Sequence, residues 1–252
     1  IIELITGIIF TLLFMKFGFS FDTLFAWIFS ALLIVIAGTD MKEKVVYDVH
    51  TYTLIGFGLL YALIVTGTAL FQVHAAGTPL EFTKYILLNN PLTMSIFGAL
   101  LGAAILEILA RAGYLIAGTR AFGEGDTFIA AGLGAMFGWR TLLVVLALSV
   151  IVQVVLFLPI FIRGLVQNKD WKTLISFVLF CTFAITFYSL QHFRIITVEN
   201  VLIFSIGAII LAVLGIISCM FIFKGLRENP ENRTYLPFGP AMVIAAFAAL
   251  LL

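Results

Sequence analysis

The chain has 252 residues, of which 63% are hydrophobic and only 11% charged, and its mean hydropathy is +1.19. A water-soluble domain carries about a quarter of its residues as charges, so a lipid-covered surface is expected and an ordinary soluble enzyme is excluded. With a net charge of +1 and no basic cluster, nothing in the chain suits nucleic acid.

A hydrocarbon core about 30 Å thick asks for roughly 20 apolar residues per helix. Nine apolar segments answer that description, over residues 1–18, 21–38, 50–70, 92–118, 126–138, 141–162, 173–190, 198–223 and 235–252. The runs are continuous, whereas β-barrel strands alternate, so helix is the regular structure that satisfies their backbones. The expected fold is an all-α polytopic membrane helix bundle of about eight or nine transmembrane segments, forming one membrane-embedded domain over residues 1–252. The fifth segment is short enough to be a half-length helix inside the bundle. The 71–91 connection, with His74, Gly77, Pro79 and Asn89-Asn90-Pro91, reads as an external loop with a short interfacial helix near residues 80–88. Because the chain opens on Ile1 in an apolar run, a fragment of a longer protein is expected.

Cationic residues sort the loops into two sides. With the N-terminus inside, one side holds Lys42, Lys44, Arg111, Arg120, Arg163, Lys169, Lys172, Lys224, Arg227 and Arg233. The other holds Lys16, Lys84, Arg140 and Arg194. The bias puts residues 39–49 and 119–126 together on the cytoplasmic side of an inner membrane.

Two acids stand at those boundaries, where an unpaired charge is expensive. Asp40 closes the second apolar segment, and Asp126 opens the fifth in Gly123-Glu124-Gly125-Asp126. Neighbouring carboxyl groups do not both ionise cheaply, so one keeps its proton while the other is charged. Such a pair can take a proton from water and give one to a leaving amine. Gly123 and Gly125 would let a substrate backbone lie against the turn, paired by strand addition. A boundary Asp alone is commonly a helix cap. A GxGD opening one span, with an Asp closing another on the same side, is far more specific.

The remaining polar residues form no second constellation. Glu107 and Arg111 are four apart and suit an ion pair along one helix. His50, His74 and His192 lie on separate segments, Cys181 and Cys219 sit alone in apolar runs, and no metal site is expected. His50 is near enough to Asp48 in sequence to hydrogen-bond it. Glu124 reads as a solvated loop acid, and Glu3 as a structural hydrogen-bonding group. Residues Pro237 to Pro240 read as shaping the start of the last span.

Together these residues resemble the type IV prepilin peptidases, membrane aspartyl peptidases of the GxGD class. Ile2-Glu3-Leu4-Ile5-Thr6-Gly7 is similar to the opening of that family's catalytic half. Asp40 to Asp48 matches its D-x7-D element, and Thr51 and Thr53 lie on the helix after it. Gly123-Glu124-Gly125-Asp126 matches the GxGD, Ala130 to Trp139 its continuation, and Pro237-Phe238-Gly239-Pro240 its P-F-G-P element. The resemblance implies Asp40 and Asp126 as the catalytic pair, and Asp48 as a supporting or substrate-contacting acid. It implies prepilin or pseudopilin partners, cut behind a short basic leader with no cofactor for proteolysis. Many such enzymes then methylate the new amino terminus with S-adenosylmethionine. The family's CxxC region does not occur in these 252 residues, so methylation is attached to a parent protein.

Phe128 stands where the family usually has Lys, Tyr47 where it has Pro, and residues of about 163–197 look like extra spanning material. Three other readings stay open. A presenilin-like protease is suggested by Tyr47-Asp48, a pilin-binding homologue with weakened catalysis by Phe128 and Tyr47, and a cation-coupled transporter by boundary acids. The sequence does not indicate an oligomeric state.

Overall fold

The structure is a computed structural model that describes residues 2–75, 90–117, 122–167, 169–192, 201–228 and 238–251. The short helix expected near residues 80–88, together with Arg120 and Pro237, lies outside them. Among the described residues the regular structure is entirely helical. The helices are α1 (Ile2–Phe17), α2 (Phe21–Glu43), α3 (Asp48–Ala75), α4 (Pro91–Ala117), α5 (Glu124–Gln167), α6 (Trp171–His192), α7 (Val201–Glu228) and α8 (Gly239–Leu251). Five of them, α2 to α6, are long and apolar enough to cross a membrane, and large apolar side chains such as Phe71, Leu100, Leu115 and Val155 lie exposed on the bundle. The protein is an all-α, multi-pass membrane bundle.

The chain divides into two compact units, residues 1–154 with 237–252, and residues 155–236. In the second unit α6 packs on α7, with the ring of Phe187 5.9 Å from that of Phe204 and lying over Gly207.

In the first unit, α2 contributes a face set by its period. Phe25, Ala26, Phe29, Leu33, Ile36 and Asp40 recur at three- and four-residue spacing, and all are buried. Asp40 therefore shares a stripe with the apolar core. The second apolar segment ends near residue 38, but the helix continues to Glu43. Met41, Lys42 and Glu43 are all good helix formers, and the turn closes on Lys44 at φ 55°, whose N–H donates to the Asp40 carbonyl at 3.0 Å. Asp40 thus sits one turn inside the helix.

The fifth and sixth expected segments are two helical arms, labelled together α5, that meet at Gly138 (φ 73°, ψ 167°), a conformation that only glycine adopts cheaply. The arm before the break, residues 124–137, rises roughly 21 Å, short of a full crossing. Its Ile129, Ala130, Leu133 and Ala135 are fully enclosed, as expected of a half-length helix inside the bundle. Small residues allow that enclosure. Gly98 and Gly102 of α4 lie directly on the backbone of Gly134 and Ala130, and Ser95 Oγ donates to the Ala135 carbonyl. Such a small-residue seam lets helix backbones touch where lipid provides no hydrophobic drive between them.

Two polar ties fix the periphery. Asn90 caps α4 ahead of Pro91, its Oδ1 accepting from Leu92 N at 3.0 Å and from Thr66 Oγ1 at 2.6 Å. Lys16 Nζ donates to the Leu250 carbonyl at 2.9 Å, joining α1 to the end of α8.

Candidate active site

Asp126 lies in the first turn of α5. Gly123 N–H donates to Asp126 Oδ2 at 3.1 Å, the arrangement in which a side chain three residues into a helix reaches back to the capping residue. The bond fixes the rotamer of Asp126 and would do so in a purely structural role as well. What a cap does not require is burial, and Asp126 is only 5% exposed. Asp40, arriving from the far end of α2, is 3% exposed. The two carboxyl groups act on each other electrostatically. Burial without a cationic partner is costly for a carboxylate, so a stability argument alone leaves this pairing without a reason.

A third segment completes the cluster. The first residue of α8, Gly239, brings its backbone beside both carboxyl groups, with Asp40 Oδ2 against its bare Cα. Asp40 Oδ2 meanwhile accepts no hydrogen bond and is buried. The flanking Phe238 is buried, with its ring 5.0 Å from that of Phe122 in an edge-to-face contact, which clamps the start of α8 to the turn before Asp126. The N-termini of α5 and α8 thus meet at one point, against the last turn but one of α2, and the first turns of helices carry partial positive charge.

The other expected site residues divide. Gly123 contributes its N–H to Asp126, as above. At Gly125 the side of the backbone that was expected to face a substrate strand is covered by Val46, 2.5 Å from where a Cβ would stand. Asp48 is exposed at the start of α3, and the structure does not bring it into the buried cluster. His50 Nδ1 is buried without a hydrogen-bond partner, so the expected bond to Asp48 is not made through that atom. His50 instead meets the Tyr47 ring edge-on at 5.9 Å. Tyr47 donates its hydroxyl to Glu43 Oε2 at 2.7 Å, and this partner pushes the phenol's pKa up. Phe128 packs edge-to-face on Tyr52 at 5.4 Å, so the position where Lys is usual holds an aromatic contact. Arg111 Nε and Glu107 Oε1 pair at 2.8 Å. Among the described residues, no three His, Cys, Asp or Glu side chains gather in a way that suits a metal.

Sequence reading missed Val46, Phe122 and Gly239 as members of this cluster. Only Gly239 left a signal, as the glycine enclosed by aromatic and proline residues at the head of the last apolar run.

Comparison with known proteins converges on the same region. A family model described as the type IV leader peptidase family matches residues 27–158, which include both acids. The prepilin leader peptidase/N-methyltransferase of Neisseria gonorrhoeae is 29% identical over 155 residues, covering 62% of this chain and 46% of that protein. The protein of the same name from Aeromonas salmonicida (strain A449) is 28% identical over 152 residues, covering 60% and 45%. The matched region thus spans a little under half the length of these relatives. No solved structure matches with significance.

Proposed function

Since the chain belongs to the type IV leader peptidase family, we propose that it is an aspartyl endopeptidase that removes the leader peptide of type IV prepilins or pseudopilins, with Asp40 and Asp126 as its catalytic pair. The observation that supports this most is the burial of two acids, from helices far apart in sequence, against one another and beneath a single backbone amide.

The chemistry needs one acid ionised and one protonated. The ionised carboxylate takes a proton from water as the water oxygen attacks the scissile carbonyl carbon. The protonated partner then gives its proton to the amide nitrogen as the C–N bond breaks, and the pair ends with its roles exchanged. Water is the only co-reactant. N-methyltransferase is part of the relatives' names, and S-adenosylmethionine as methyl donor is what the family resemblance implies; neither enters the cleavage step.

The bias of basic residues supports a site on the cytoplasmic face of the inner membrane, with Asp48 and the 44–47 loop at its rim. There Asp48 would support the site or contact substrate, a role suited to an exposed acid near a basic leader.

The test is cleavage of a prepilin by the full chain in membranes. Asp40→Asn and Asp126→Asn should each abolish cleavage while leaving the protein inserted and folded. Full cleavage by either variant would remove the assignment. A bell-shaped pH profile should accompany activity, and inhibition by a metal chelator or serine reagent would count against an acid pair. Uptake of cations into proteoliposomes, without peptide cleavage, would favour a transporter instead.

A further inference from the structure

The start of α8 does more than begin a helix. The first N–H groups of any helix lack partners within it, and here the backbone of Gly239 lies beside two carboxyl groups. Pro240 follows, which has no N–H of its own, so no adjacent amide competes with that of Gly239. Phe238 fixes the position through Phe122. The Phe238 carbonyl accepts from Met242 N at 3.1 Å, so the turn is closed from its first residue.

The side-chain position of Gly239 is equally constrained. A methyl group built there would collide with Asp40 Oδ2 and would stand 3.2 Å from Ile129 Cδ1. Asp40 Oδ2 is also the buried oxygen that accepts no hydrogen bond. Where other described glycines have a close neighbour at that position, it is an apolar side chain or helix backbone, as Gly132 has Leu54. A carboxylate oxygen held in that space is a different matter.

We infer that Gly239 is a positioning residue for the acid pair: its N–H is shared between Asp40 and Asp126, and its missing side chain is what admits Asp40 to that amide. This rests on the reading of Asp40 and Asp126 as the catalytic pair. It gives the Phe238-Gly239-Pro240 element a function in three parts, an aromatic anchor, a backbone donor with open space beside it, and a residue that leaves that donor uncontested.

The test uses the full chain and four variants, Gly239→Ala, Asp40→Ala, the two combined, and Gly56→Ala as a control, since nothing lies within 4 Å of a Cβ at Gly56. Gly239→Ala should lower kcat for prepilin cleavage by about 100-fold, the scale on which misplaced catalytic groups act. KM should stay within about twofold, and one limb of the pH–rate profile should move. Gly56→Ala should leave all three unchanged. Thermal unfolding supplies a readout independent of cleavage: Gly239→Ala should lower the midpoint when Asp40 is present and have little further effect in the Asp40→Ala background, a coupling that a double-mutant cycle detects. If Gly239→Ala fails to fold, recovery by the combined variant supports the inference and persistent misfolding overturns it. Wild-type kcat and pH profile in Gly239→Ala, or equal destabilisation with and without the Asp40 carboxyl, also overturns it. Absence of cleavage by the unsubstituted chain would refute the proposed reaction, while the unfolding cycle would still decide the contact.

Discussion

Val46 rests against the bare Cα of Gly125, sealing the loop between α2 and α3 onto the turn that presents Asp126. Neither residue is ionisable, yet their contact sets how the turn meets the end of the helix that carries Asp40.

A methyl group at position 125 has to displace Val46. Gly125→Ala is expected to lower stability by about 1–3 kcal/mol, the usual cost of overpacking, and to reduce prepilin cleavage by about 100-fold through misplacement of Asp126. Val46→Gly in the same chain, which removes the Cβ that the new methyl meets, should restore most of both, as read by thermal unfolding and by cleavage. Failure of that rescue would show that the glycine acts elsewhere.

At Asp126, structure and chemistry can be separated by substitution. Asn keeps an oxygen that accepts from Gly123 N–H, whereas Ala does not. Asp126→Asn should therefore unfold close to the parent protein, and Asp126→Ala about 1 kcal/mol below it, the worth of a helix-cap interaction. Neither should cleave. Equal stability of the two variants would mean that the cap contributes nothing.

Asn90 tests the periphery. Its side chain joins Thr66 to the first turn of α4, and both residues are buried. Asn90→Ala should cost about 1–2 kcal/mol by loss of the cap and by leaving Thr66 Oγ1 with one partner fewer. Cleavage per folded molecule should not change, which an active-fraction measurement would check.

The Tyr47 phenol donates to Glu43, and that hydrogen bond, reinforced by the carboxylate's charge, holds its pKa above the ordinary value of about 10. The sign follows from linkage. A group whose pKa is raised on folding adds stability that is fully present below the unfolded value and is lost as pH rises through the folded one. Ultraviolet titration should show Tyr47 ionising late, and Glu43→Gln should bring its midpoint down. Because the pair is exposed, the effect on stability should be small and confined to alkaline pH.

How far the sequence can be read differs from residue to residue. The three- and four-residue spacing that buries Leu33 and Ile36 also buries Asp40, so the second acid's orientation was legible once the segment was taken as helical. The half-length inner helix was legible too, from the short apolar run after the GxGD, which ends at the break at Gly138. The exact end of α2 was not, because the apolar run stops near residue 38 while the helix formers Met41, Lys42 and Glu43 carry the helix past it. Val46 and Phe122 carry no chemical signature; their importance comes from what a distant segment places opposite them. Gly239 is marked by its Phe-Gly-Pro setting, but its role is not, since a backbone N–H is something every residue except proline possesses.

The acid pair and its shared amide span positions 40, 126 and 239, so most of the polypeptide separates the first from the last. A nascent chain inserting helix by helix would hold both acids in the membrane well before residue 239 left the ribosome. During that interval it would lack the donor between them. Competence would then arrive only with α8, after both acids are already inserted. Synthesis arrested just before residue 238 should yield an inserted but silent product, and its release to full length should switch cleavage on.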